Sequence, residues 1–189
     1  MQHKHGEDVC SKRPKLLVTS PVGKESWAEV EVGNALFHGD PRVKVEKAAF
    51  PGVLLVYTSL SAEEAFKLVR KQYLAFVNRV VPVHTLSFLT SAGEVEKFVR
   101  NFLLQERERL KGRTVSVRVA LRGVRSDIGE TQLLNAIASE LAKIGSLPRR
   151  EGAELCLLVE SVHWCFMLAL VERAACERGR GAHRSDGAR

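Results

Sequence analysis

Thirteen residues, Arg113–Arg125 (RTVSVRVALRGVR), restrict the fold of this chain more than any other stretch. Val115, Val117, Val119 and Leu121 fall on one face at period two, and Thr114, Ser116, Arg118, Ala120 and Arg122 fall on the other. Such alternation belongs to a strand with one packed face and one face open to solvent or to a partner. A helix follows at once. Asp127 and Glu130 have the spacing of an N-terminal capping box, and Leu133, Ile137, Leu141 and Ile144 recur at helical period. Lys143 lies in the last turn and Gly145 supplies the stop. A strand feeding directly into a capped helix is an α/β element. Arg113, Arg118, Arg122 and Arg125 have no carboxylate between them, and charges carried on a strand are positioned, so they point to an anion-binding surface.

The rest of the chain divides around this unit. Residues 1–14 are polar and basic without periodicity and read as a disordered arm. Residues 15–88 read as β-α-β-β-α-β. Leu16–Ser20 is a short strand and 24–37 a helix packing Trp27, Val30 and Leu36. A strand carries Val43 and Val45, and Val53–Thr58 is an apolar strand after the Pro51-Gly52 turn. A helix opened by the Ser61/Glu64 capping box comes next, and Arg79–Leu86 is the fourth strand. Pro82 places that last strand at an edge, because proline cannot donate to a ladder. Residues 89–172 open with a second capping box, Ser91/Glu94, and a helix burying Val95, Phe98, Val99, Phe102 and Leu103. The arginine strand and its helix follow, then two apolar strands, Leu155–Glu160 and Trp164–Val171. Residues 173–189 read as a flexible basic tail.

The formal net charge is +7, yet residues 89–172 hold 12 basic against 11 acidic side chains, so local clustering carries more information than the global field. The densest cluster runs from Arg107 through Arg109, Lys111 and Arg113 to Arg125, with Glu108 as its only carboxylate. Cys10, Cys156, Cys165 and Cys176 are spaced too widely for a zinc motif, and Cys156 and Cys165 read as small buried hydrophobes. With no secretory signal at the start, the expected location is cytoplasmic. Glu160 and His163 interrupt the apolar run 155–171, and a membrane span needs about 20 apolar residues, so two strands fit it better and no membrane partner is expected. Pro21-Val22-Gly23-Lys24 lacks the glycines of a phosphate loop. Cys156, His163 and Cys165 read as packing residues, and no metal set, cofactor loop or catalytic group stands out. The residues alone therefore point away from an enzyme.

The order of the pieces LLVTS (16–20), FPGVLLVYTS (50–59), RVVPV (79–83), VSVRVALR (115–122) and LCLLVESVHWCFMLAL (155–170) resembles that of THUMP-domain proteins. The resemblance covers Lys15 to Glu172. It implies an α/β chain with an N-terminal ferredoxin-like βαββαβ unit over 15–88 and a THUMP-like RNA-binding unit over 89–172. THUMP domains are RNA-binding modules of tRNA-modifying systems, holding the acceptor arm near the 3′ CCA end. Only 18 residues follow Val171, so the chain resembles most the stand-alone THUMP adaptor of tRNA cytidine acetyltransferase, which presents tRNA to a separate enzyme. The expected phosphate contacts are Arg113, Arg118, Arg122 and Arg125, with Arg79 and Lys111 as secondary contacts. Arg118 and Arg122 lie about 13 Å apart on an extended strand, comparable with the span of two backbone phosphates. The rival expectation is a protein-interaction module of ferredoxin-like fold, using an exposed edge at Val80–Leu86 and no RNA.

Overall fold

The computed structural model describes residues 2–123 and 129–176. Its elements are α1 (Gln2–Lys12), β1 (Leu16–Thr19), α2 (Glu25–Phe37), β2 (Lys44–Lys47), β3 (Val53–Tyr57), α3 (Ala62–Arg70), β4 (Arg79–Pro82) and β5 (Thr85–Phe88). They continue with α4 (Ala92–Gln105), α5 (Arg107–Leu110), β6 (Thr114–Ala120), α6 (Glu130–Ile144), β7 (Leu147–Pro148), β8 (Leu155–Val162), β9 (Cys165–Glu172) and α7 (Arg173–Cys176). The first sheet has the order β2-β3-β1-β4 and the second β5-β9-β8-β6-β7. The architecture is α/β, with a four-stranded sheet built from the first four strands and a five-stranded sheet built from the rest.

Alternation within each strand builds four layers. In β1 and β3, Leu16, Val18, Leu54 and Val56 face α2 and α3. Their neighbours Leu17, Val53 and Leu55, with Val81 of β4, face inward onto Cys156, Leu158, Met167, Ala169 and Val171 of the second sheet. The opposite face of that sheet carries Leu155, Leu157, Val159, Phe166, Leu168 and Leu170 against α4 and α6. β8 and all but the last residue of β9 are buried throughout, as central strands covered on both faces require. The run 155–171 is thus the hairpin that its sequence suggests, and no helix among the described residues is long and apolar enough to cross a membrane.

Local signals hold where the chemistry is local. Both capping boxes form: Ser61 and Ser91 accept from the N–H of Glu64 and Glu94, whose carboxylates reach back to the serine N–H. Gly145 caps α6 at φ 83°. Asp127, the expected cap at the other end of that helix, lies outside the described residues; the helix begins at Glu130 behind Gly129.

Four expectations are corrected. The run 79–86 is two strands. The Val83 N–H donates to the Lys15 carbonyl at the edge of the first sheet, and the next N–H, of His84, donates to the Leu168 carbonyl in the second. One continuous apolar segment therefore changes sheets between consecutive residues, and β4, with Pro82, remains the edge of the first sheet. On α2 the buried face is Ala28, Val32 and Leu36, while Trp27 and Val30 are exposed, Trp27 stacking on Phe76. Residues 2–12 form α1 where an arm without structure is expected, with Val9 in the core between the sheets. Cys165, expected to act only as a packing residue, is bonded to Cys10 with a Cα–Cα separation of 5.6 Å, tying α1 to β9.

Two stability predictions arise here. Cys10→Ser removes a cross-link between residues 155 apart in sequence and should cost about 2–4 kcal/mol in denaturant unfolding, with faster amide exchange in α1. Asp40, buried at the end of α2, accepts from Thr58 Oγ1 at 2.6 Å, Ser59 N at 2.7 Å and Arg42 N at 3.0 Å. The Thr58 hydroxyl first, then the Ser59 N–H, hold its carboxyl well below the usual carboxylate range. A depressed folded-state value means a contribution fully present above the unfolded value near 4 and lost as pH falls through the folded one. Asp40→Ala should therefore lower Tm at pH 7, and the gap to the parent chain should shrink as the pH is taken below about 4.

Candidate nucleic-acid interface

The second sheet is wider than the first, and this leaves the inward face of β6 open. In register, Arg118 lies beside Leu158 and Ala120 beside Glu160. Arg118 and Arg122 therefore belong to the face that elsewhere packs on the first sheet, and here they share a wall with the ends of β1, β3 and β4. The result is a cavity of about 370 Å³ lined by Thr19, Gly52, Asn78, Arg79, Arg118 and Arg122 among others.

Its electrostatics turn on Glu160, a fully buried carboxylate in β8. Arg79 Nη2 forms an ion pair with Oε1 at 2.5 Å, and Arg122 Nη1 donates to Oε2 at 2.6 Å. Two guanidiniums, one from each sheet, thus share a single carboxylate and leave one positive charge in excess. Burial pulls the Arg79 guanidinium below its ordinary value, Glu160 opposes that shift, and Arg122 and Arg118 add to it by repulsion. A guanidinium stays charged through such a shift, so the cluster remains cationic, and an added anion would relieve that repulsion.

The backbone fixes the walls. Arg122 N–H donates to Ser161 Oγ at 2.9 Å and its carbonyl accepts from His163 N at 2.7 Å, holding the end of the arginine strand to the β8–β9 turn. Gly52, at φ 73°, is required there: a Cβ would lie 2.7 Å from the Ser20 carbonyl oxygen, well inside contact distance.

Of the six arginine and lysine positions expected from sequence, the fold brings three together: Arg79, Arg118 and Arg122. Arg113 and Lys111 lie at the opposite end of β6; nine residues of extended chain put Arg113 about 30 Å from Arg122. Arg113 is engaged there by Glu154 at 3.3 Å and Glu172 at 3.0 Å, which hold its guanidinium above the ordinary value. Arg125 lies outside the described residues. Sequence reasoning missed Glu160 as a site residue, although a single carboxylate inside an apolar run was the available signal. Among the described residues, no group of three His, Cys, Asp or Glu side chains could hold a metal ion.

No family model matches the chain, and no curated protein matches it. Solved structures do. TrmN from Thermus thermophilus superposes with a TM-score of 0.60 at 15% identity, over 84% of this chain and 45% of that one. The chain has the fold of the matched part of that structure. PH1313 from Pyrococcus horikoshii Ot3 matches with a TM-score of 0.53 at 11% identity, over 85% of this chain and 55% of its own. A predicted N6-adenine-specific DNA methylase from Listeria monocytogenes str. 4b F2365 matches with a TM-score of 0.51 at 16% identity, over 84% and 40%. This chain therefore spans about half the length of these proteins or less. At such identities the likeness is one of fold. It nevertheless overturns the expectation of a chain outside the enzymes: a protein named as a methylase carries this fold over most of the present chain. A search of the sequence for reactive groups could not see that association.

Proposed function

We propose that this chain binds tRNA by its backbone phosphates at the arginine cleft and presents the acceptor arm to a tRNA-modifying catalytic centre. The observation that carries the reading is the pairing of Arg79 and Arg122 on one buried carboxylate with Arg118 lining the same cavity. Cations held in place by Glu160 lose little side-chain freedom when a phosphate arrives, and positioned charges discriminate by shape as well as by sign. Among the described residues no aromatic side chain lines the cleft, so phosphate contacts dominate over base stacking. The order of elements from β1 to β9 is the second support, through its resemblance to THUMP-domain proteins of the cytoplasmic tRNA-modifying machinery. In its finer form the reading makes the chemistry cytidine acetylation, with a cytidine acetyltransferase receiving the tRNA.

The test is a fluorescence-anisotropy titration with three ligands at one salt concentration: intact tRNA, the same tRNA without its 3′ CCA, and duplex DNA of equal length. The expected order is intact tRNA tightest, truncated tRNA weaker and DNA weakest. Duplex DNA binding as tightly as intact tRNA would overturn the RNA reading; equal binding of the two tRNAs would overturn the acceptor-end preference.

A further inference from the structure

The edge of β9 is covered over only half its length. β5 pairs with Cys165–Leu168, and among the described residues no strand lies beside Ala169–Glu172 on that side. Two side chains hold the backbone there instead: the Leu170 N–H donates to His84 Nδ1 at 3.3 Å, and the Leu170 carbonyl accepts from Arg109 Nη2 at 3.3 Å. Both plugs have other partners. His84 Nε2 lies 2.7 Å from Glu63, and Arg109 Nη1 donates to Glu106 at 2.7 Å. Arg109 would therefore keep a partner if Leu170 were released, and His84 would keep its proximity to Glu63.

Alongside this edge is a cavity of about 410 Å³ between β9 and α3, with Phe66, Leu170 and Val171 in its lining. Its rim carries Lys67, Arg70, Lys71 and Arg109 against Glu63 and Glu172, so it is cationic overall. Lys67, Arg70 and Lys71 are exposed. The slot and the arginine cleft are separate: Leu155, opposite Glu172, is five residues from Glu160, about 17 Å along β8.

We propose that this slot docks an extended acidic segment of a partner protein, which adds as a strand beside Ala169–Glu172 with its carboxylates on the Lys67–Lys71 rim. An added strand would exchange the two side-chain partners of Leu170 for backbone ones at the regular strand spacing. Charge selects the occupant. The chain's own residues 177–189 carry four arginines against two carboxylates and have the wrong sign for this rim. A nucleic acid has the right sign, but Glu63 and Glu172 interrupt the rim against a continuous phosphate run, and the apolar lining suits alternating side chains instead.

The experiment uses the full chain and three fluorescein-labelled probes: an alternating Glu–Val octapeptide, an octapeptide of equal charge with proline in place of every valine, and a uridine octamer. Proline removes the backbone donors but leaves the charge. The Glu–Val peptide should bind at least tenfold tighter than the proline peptide and slow amide exchange at Leu170 and Glu172. The double variant Lys67→Glu/Lys71→Glu, at two exposed positions, should weaken it at least tenfold. Equal affinity for both peptides, no binding of either, exchange protection elsewhere, or indifference to the double variant would each overturn the proposal. Displacement of the peptide by the uridine octamer, with octamer binding lost in the double variant, would reassign the slot to nucleic acid.

Discussion

Glu160→Ala should be the most damaging single substitution in this chain, lowering stability by about 3–5 kcal/mol. Glu160 is completely buried, and it compensates Arg79 and Arg122, whose side chains are only 21% exposed. Removing the carboxylate leaves two like charges facing each other without the group that compensates both. Breaking a buried ionic group from one side is costly because the remaining charge is stranded, whereas replacing the whole group by apolar residues is often tolerated. For a chain of this size the loss corresponds to a fall in Tm of roughly 10 °C, read by thermal unfolding of the two proteins side by side. Adding Arg79→Met to Glu160→Ala should recover part of it, because it removes the repulsion between the two guanidiniums. A Glu160→Ala variant as stable as the parent would mean that the two sheets are not joined through this carboxylate.

The second large effect concerns binding. Arg118→Ala/Arg122→Ala removes two of the three guanidiniums that line the cleft. Each lost phosphate contact should reduce the slope of log affinity against log salt by about 0.7 to 0.9, so the double variant should flatten it by up to about two. At low salt, tRNA affinity should fall at least tenfold. Loss of Arg122 also leaves Glu160 with Arg79 alone, an even pair, so Tm should drop less than for Glu160→Ala. That difference separates a binding defect from unfolding.

Much of the fold could be read from local signals. The two capping boxes, the glycine stop of α6, the alternation of β6 and the apolar pair β8–β9 each depend on residues close in sequence, and each forms as read. What sequence hides is non-local. Residues 79–86 look like one strand because apolar continuity carries no record of which sheet a residue joins; only the acceptors Lys15 and Leu168 of successive N–H groups reveal the crossing. α1 has no strong apolar stripe and is held by Val9 and the bond from Cys10 to Cys165, a residue 155 positions away. α2 is apolar on several sides, so its sequence could not choose Ala28, Val32 and Leu36 over Trp27 and Val30.

The site shows the same division. Arg118 and Arg122 share a strand face, and their proximity is legible. That Arg79, in another sheet, meets Arg122 through Glu160 is a product of how the sheets stack. Arg113 has the opposite parity on the same strand, and strand length also takes it away, to Glu172 and Glu154.

Photo-cross-linking of intact tRNA to the full chain, with the attached peptides mapped by mass spectrometry, tests the cleft most directly. The account predicts cross-links concentrated on the three segments that wall it: Pro51–Val53, Asn78–Arg79 and Arg118–Arg122. Cross-links confined to Lys111–Thr114 or to residues 177–189, with those three segments unlabelled, would contradict it.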